Sequence, residues 1–274
     1  ITKLNRAARE AKQDALVVGE VWEGASNKIS YDVRRRYFQG GELDSVMNYP
    51  LRDGIMAFLT GSPAEDFAEK METLRENYPR AIFYNLMNII GTHDTPRALT
   101  ALGADPGDWG ASREYRAHKR LEGEPLARAM RLLRIAAVIQ FTMPGSPTIY
   151  YGDEAGQQGY KDPFNRRTYP WGQENQELLA FYRSLCAVRA KNPALTDGSI
   201  EFLEAHGGVL LYVREDAGER ILVAVNRTKV TQVYEITGAE KLENLLDGTV
   251  HTDGEEHVIL DLEPESAALY RFAE

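Results

Sequence analysis

Between residues 1 and about 191, short runs apolar on both faces alternate with amphipathic stretches of helical spacing. A chain written this way folds as β/α units, because strands buried on both faces need helices on both sides of a parallel sheet. Four such units are legible. Ile1, Leu4, Ala8 and Ala11 form a helical stripe, and Ala15-Leu16-Val17-Val18-Gly19 follows as a strand expected to be buried on both faces. Val46-Met47, Met87 to Ile90 and Thr148 to Tyr151 are the next three expected strands. Ser62-Pro63-Ala64-Glu65 reads as a capping box with proline at the first helical position, and Phe67, Met71, Leu74 and Tyr78 carry the stripe of the helix it opens. A second helix opens at Pro125 and carries Leu126, Met130, Leu133 and Ala137. Leu178, Tyr182 and Leu185 mark a third, on which Cys186 reads as a small core residue. Residues 103–123, rich in Gly, Asp and Arg, read as an insertion or long loop.

After Asn192-Pro193 the pattern changes to short alternating strands, such as Gly208 to Arg214 and Arg220 to Asn226, punctuated by Asp247-Gly248 and Asp253-Gly254. The charge changes at the same place. Residues 193–274 hold 17 acidic against 6 basic side chains, while residues 1–192 hold 24 against 26. We therefore expect an α/β domain over 1–192 and an all-β domain over 193–274. The net charge of −9 argues against nucleic acid, which calls for clustered Lys and Arg against phosphate. The longest apolar stretch, Ile135 to Tyr151, is broken by Gln140, Pro144 and Pro147 and is not expected to span a membrane. The chain opens at Ile1 on a helical pattern, unlike a signal peptide and more like a cut end.

In a parallel β/α barrel, chemistry sits where strands end, because the βα loops form the open face. Glu20 follows the strand ending at Gly19 and is flanked by Trp22, apolar surroundings that would keep a carboxyl protonated as a general acid; a solvated loop glutamate is the competing reading. His93-Asp94 follows the strand ending near Ile90, with Arg97 close behind. Glu20 and Asp94 then give paired carboxylates on one face, the equipment for cleaving a glycosidic bond, whereas a His-Asp hydrogen bond that steadies a loop needs no substrate. After Tyr151 the loops read Gly152-Asp153-Glu154-Ala155-Gly156 and Lys161-Asp162-Pro163-Phe164-Asn165-Arg166-Arg167. Asp162 and Arg166 can hydrogen-bond sugar hydroxyls or simply each other, and Asp153 and Glu154 suit loop-holding. His118, His206, His251 and His257 are scattered without the spacing of a zinc site, no phosphate loop or serine elbow is present, and no cofactor is implied.

These segments, in this order, resemble the alpha-amylase superfamily, glycoside hydrolase family 13. GEVWE at 19–23 resembles its fifth-strand motif, GTHDTPR at 91–97 its seventh-strand motif and GSPTIYYGDEAG at 145–156 its eighth-strand motif. DSVMNYPLRDGI at 44–55 and KDPFNRRTYPWG at 161–172 are similar to the neopullulanase, cyclomaltodextrinase and maltogenic amylase branch, which favours a cytoplasmic location. The resemblance implies the C-terminal half, strands five to eight, of a (β/α)8 TIM barrel followed by a β-sandwich. It implies Glu20 as the acid/base, Asp94 as the carboxylate that stabilises the distorted sugar, and His93 as a donor to that sugar. Asp162 and Arg166 would bind the next glucose on the non-reducing side, and Trp22 would line the leaving-group side. The family's nucleophile, an Asp in a Gly-x-Arg-x-Asp pattern on the fourth strand, has no counterpart in residues 1–274.

The expectation is a part of a retaining α-glucan hydrolase, inactive alone and prone to self-association through open sheet edges. Two alternatives stay open: a transglycosylase, in which a sugar hydroxyl replaces water, and a non-catalytic amylase-like binding or accessory protein. Retention of Glu20, His93 and Asp94 weighs against the second.

Overall fold

The computed structural model describes residues 1–254 and 256–273. Its first part runs α1 (Thr2–Ala11), β1 (Val18–Gly19), a small hairpin of β2 (Ile29–Ser30) and β3 (Val33–Arg34), then β4 (Ser45–Val46). The helices α2 (Tyr49–Thr60), α3 (Ala64–Asn77) and α4 (Arg80–Phe83) lead to β5 (Met87–Asn88). Then come α5 (Ala98–Gly103), α6 (Arg113–His118), the long α7 (Gly123–Thr142), β6 (Ser146–Pro147) and α8 (Gln176–Lys191). β1 pairs with β4 and β5 with β6, both parallel, and a parallel bridge from Met47 to Met87 joins the pairs in the order β1-β4-β5-β6. Because every strand points the same way, the segments after Gly19, Val46, Asn88 and Pro147 all emerge at one edge.

α7 is the pillar of this part. Ile135 to Thr142 are buried without interruption, and a helix apolar around its whole circumference has to sit inside. The stripes of α3 and α8 face inward as their spacing predicts, with Phe67, Met71, Leu74, Tyr78, Leu178, Tyr182 and Leu185 all buried. Among the described residues, no helix is long and apolar enough to cross a membrane.

The remainder is antiparallel: β7 (Ser199–His206), β8 (Val209–Asp216), β9 (Glu219–Asn226), β10 (Gln232–Thr237), β11 (Lys241–Asn244), β12 (Val250–His251), β13 (His257–Leu262) and β14 (Ser266–Ala273). Six strands form one sheet in the order β12-β11-β14-β9-β8-β7, and β10 pairs with β13. Period-two alternation sorts β8 between two cores. Leu210 and Tyr212 join the helical core around α7, whereas Val209, Leu211 and Val213 pack with Ile236, Val258 and Leu260 of the β10-β13 pair. A strand covered on both faces reads as one apolar run, which is why β8 begins VLLYV. Arg214 crosses this junction fully buried, its guanidinium donating to the carbonyl oxygens of Thr142 and Gly198, so its charge is met by backbone dipoles.

Five expectations are corrected. Ala15 to Gly19 is not covered on both faces: Val17 is buried, but Leu16 is 69 % and Val18 46 % exposed, because β1 pairs on one side only and no described element lies over them. The capping box at 62–65 does not form. Glu65 instead accepts from Gly207 N at 2.9 Å and pairs with His206 Nδ1 at 3.0 Å, so the β7-β8 hairpin holds the start of α3. The last strand pairs at Ser146–Pro147, two residues before the expected Thr148, and the chain turns at Tyr151. Residues 103–123 include a 3-10 turn, Pro106–Gly110, and α6, organised around Asp108, which accepts from Tyr115 and Tyr160 hydroxyls at 2.7 Å each. Cys186 is exposed, one position off the stripe that buries Leu185 and Val188.

Candidate active site

Glu20 leaves the end of β1 with its side chain in solvent. The residue that meets it comes from the next strand end. Tyr49, the first residue of α2, is fully buried and its hydroxyl donates to Glu20 Oε1 at 3.0 Å. Asn48 fixes that helix start, accepting from Leu51 N at 3.1 Å while donating to Asn88 Oδ1 at 2.9 Å. Trp22 lies flat on the Tyr49 ring, centroids 4.1 Å apart at 15°. Trp22, expected as apolar cover for Glu20, stacks on the tyrosine whose hydroxyl bonds that carboxyl, since two flat rings offer each other a large contact area. Burial, opposed by Thr92 and reinforced by the charges of Glu20 and Asp94, pushes the Tyr49 hydroxyl up to about 12, so it stays a donor at neutral pH. The same phenol thus feels both candidate carboxylates.

At the end of β5, His93 Nε2 lies 3.3 Å from Asp94 Oδ2. Arg166 reaches over from the loop after β6, with Nη2 3.1 Å from Asp94 Oδ1 and Nε 2.9 Å from Asp162 Oδ1. The four sequence-derived residues His93, Asp94, Asp162 and Arg166 therefore form one cluster, with the Asp94 side chain half-buried and the other three exposed. The ion pair between Asp162 and Arg166 is real, and Asp94 is its third member. Beneath it Arg97, fully buried, packs against the rings of Tyr150 and Tyr151 at 4.1 and 4.7 Å and lies 3.4 Å from Asp153. Burial pushes the Asp153 carboxyl up to about 7 against the opposing pull of Arg97. Gly91 is required here by close approach, since a Cβ would stand 2.2 Å from Asp153 Oδ2. Among the described residues, no group of three or more His, Cys, Asp or Glu is placed to hold a metal ion.

Two residues escaped the sequence reading. Tyr49 follows the Val46-Met47 strand and falls under the rule that found Glu20, yet a phenol at a helix start carried no charge to flag it. Asn165 donates to two backbone carbonyls and left no signal in the sequence. Beside Trp22, a groove of about 600 Å³ opens between Glu23, Pro50, Asp53, Asp66 and Lys70.

A family model described as the alpha amylase catalytic domain matches residues 1–171. The chain belongs to the alpha-amylase family. Among relatives, an amylopullulanase from Thermoanaerobacter thermohydrosulfuricus is 35 % identical over 220 residues, covering 76 % of this chain and 14 % of that protein. A cyclomaltodextrinase from Geobacillus thermopakistaniensis (strain MAS1) is 30 % identical over 278 residues, covering 98 % of this chain and 42 % of that protein. A solved cyclomaltodextrinase structure superposes with a TM-score of 0.80 at 28 % identity, covering 98 % of this chain and 42 % of that one. This amylase-family chain thus spans less than half the length of each of these three relatives.

Proposed function

We propose that the chain supplies the acid/base and the transition-state-stabilising carboxylate of a retaining glycosidase acting on α-1,4- and α-1,6-linked glucans such as maltooligosaccharides, cyclodextrins, pullulan and starch. One observation carries this reading: Glu20 and Asp94 emerge at the same strand-end edge of one parallel ladder, Glu20 accepting there from the buried Tyr49 hydroxyl and Asp94 held there by Arg166. Glu20 protonates the departing glycosidic oxygen and then takes a proton from water. Asp94 lends its charge to the oxocarbenium-like sugar, with His93 donating to the same sugar. Asp162 and Arg166 bind the next glucose on the non-reducing side, while Trp22 and its groove take the leaving-group side. Attack on the anomeric carbon falls to an Asp of a Gly-x-Arg-x-Asp strand, which residues 1–274 do not contain, so this chain alone does not turn over. In this reading residues 1–192 are strands five to eight of the barrel and residues 193–274 a β-sandwich domain.

The test is Glu20→Gln in the polypeptide that joins this chain to the nucleophile strand. Turnover of unactivated maltooligosaccharides falls at least about 10²-fold, because an amide cannot protonate the leaving oxygen. Aryl glucosides with good leaving groups suffer less in the first step. Equal loss on both substrate types, measured on that step, removes Glu20 from the acid role.

A further inference from the structure

We infer that Asn165 is a positioning residue for Asp94, holding the backbone on both sides of that carboxylate. The inference rests on the role proposed for Asp94. Asn165 is fully buried, and its Nδ2 donates at 2.7 Å to His93 O and at 2.7 Å to Thr95 O, the two residues that flank Asp94. A primary amide has two hydrogens on one nitrogen, and both are used here; Leu has nearly the same shape and neither donor. The following residue completes the grip. Arg166 Nε donates to His93 O at 2.9 Å and Nη2 reaches Asp94 Oδ1 at 3.1 Å, so one dipeptide fixes first the backbone around Asp94 and then its carboxylate.

The dipeptide is itself anchored. Arg97 Nε donates to Asn165 O at 2.8 Å, and Arg97 is immobilised by the two tyrosine rings against which it packs. On the other side, the turn that carries Asp94 is closed by Thr95 Oγ1 accepting from Thr92 N at 3.0 Å and Thr92 Oγ1 accepting from Asp94 N at 3.2 Å. These short bonds set the shape of the turn but not where it stands relative to the loop after β6. Asn165 is the buried link that sets that position from below, with Arg166 bonding the same turn from its exposed side. A charge meant for a developing oxocarbenium ion works only where the ion forms, and a shift of about 1 Å costs on the order of 10²-fold in rate.

The experiment uses the polypeptide carrying the whole site, with Asn165→Leu as the near-isosteric variant lacking both donors and Asn165→Ser as one retaining a single donor. Each is assayed for kcat and KM on aryl glucosides of differing leaving groups, alone and together with Asp94→Asn. We expect Asn165→Leu to lower kcat on the order of 10²-fold irrespective of leaving group, with Asn165→Ser between it and the parent. In the Asp94→Asn background the same change costs less than about threefold, since a misplaced neutral amide has little left to lose. A merely structural staple predicts equal losses in both backgrounds, and that result overturns the inference. So does near-normal kcat for Asn165→Leu, provided its circular dichroism matches the parent. Near-normal turnover by Asp94→Asn alone marks a failure of the underlying reading and overturns both; loss by Asp94→Asn with none by the Asn165 variants overturns the inference alone.

Discussion

Tyr49 shows how much of a site can rest on one hydroxyl. Tyr49→Phe keeps the ring on Trp22 and removes the hydroxyl that donates to Glu20 and faces Thr92. A hydrogen bond typically contributes about 0.5–1.5 kcal/mol, so kcat/KM in the whole polypeptide should fall roughly two- to tenfold, with thermal unfolding little changed. Unaltered kinetics would leave the phenol as packing. Asp162→Ala and Arg166→Ala separate two roles in the same cluster. Both should weaken long substrates more than short ones, but only Arg166→Ala should also lower kcat, because only Arg166 touches Asp94. An unchanged chain-length preference in steady-state assays would return the pair to a simple ion pair. Sequence position singled out Glu20, His93 and Asp94 as polar groups following expected strands and Asp162 and Arg166 as opposite charges in the loop after the last one, and of these His93, Asp94, Asp162 and Arg166 do come together. Asn165 was not singled out, since its partners are carbonyls 72 and 70 positions away in sequence.

At the scale of elements, periodicity found those whose burial follows their own stripe and missed those set by a distant partner. α3, α7 and α8 were legible from apolar spacing, whereas α6, of 6 residues, is too short to show a period and owes its place to the Asp108 hydrogen bonds. The start of α3 was misread for the same reason: Glu65 finds Gly207, which no local motif could announce. The contact between the ends of β5 and β6 makes a prediction of this kind through Asp153. Its carboxyl rises from an ordinary 3.8 to about 7 on burial, so between these values the folded state keeps a proton that the unfolded chain has lost. The stability from this group is full below about pH 4 and is lost as the pH rises through about 7. Asp153→Asn does not titrate, so the Tm of the parent minus that of the variant should decrease from pH 4 to pH 8. A difference that widens over this range in a calorimetric series would mean that Arg97 outweighs burial.

For the molecule as a whole, composition, charge and pattern change together near residue 193, and the last parallel strand precedes that position while the antiparallel sheet follows it, although Leu210, Tyr212 and Leu269 share one core with α7. The uneven charge now matters for behaviour in solution. The acidic excess lies in residues 193–274, which leaves residues 1–192 nearly neutral and gives little repulsion where the parallel ladder ends. There β1 pairs on one side only, and Ile1, Leu4, Leu16 and Val18 stand exposed around it. An unpaired edge with apolar neighbours is a template for another strand. The chain by itself should therefore self-associate, giving a light-scattering mass above that of one chain, and Leu16→Lys with Val18→Lys should shift it toward the monomer by placing charge on that edge. It should also release no reducing sugar from starch, pullulan or cyclodextrins above a Glu20→Gln blank, because a placed acid without a nucleophile has nothing to complete. A monodisperse monomer would refute the edge argument, and turnover abolished by Glu20→Gln would refute the claim that the nucleophile lies outside residues 1–274.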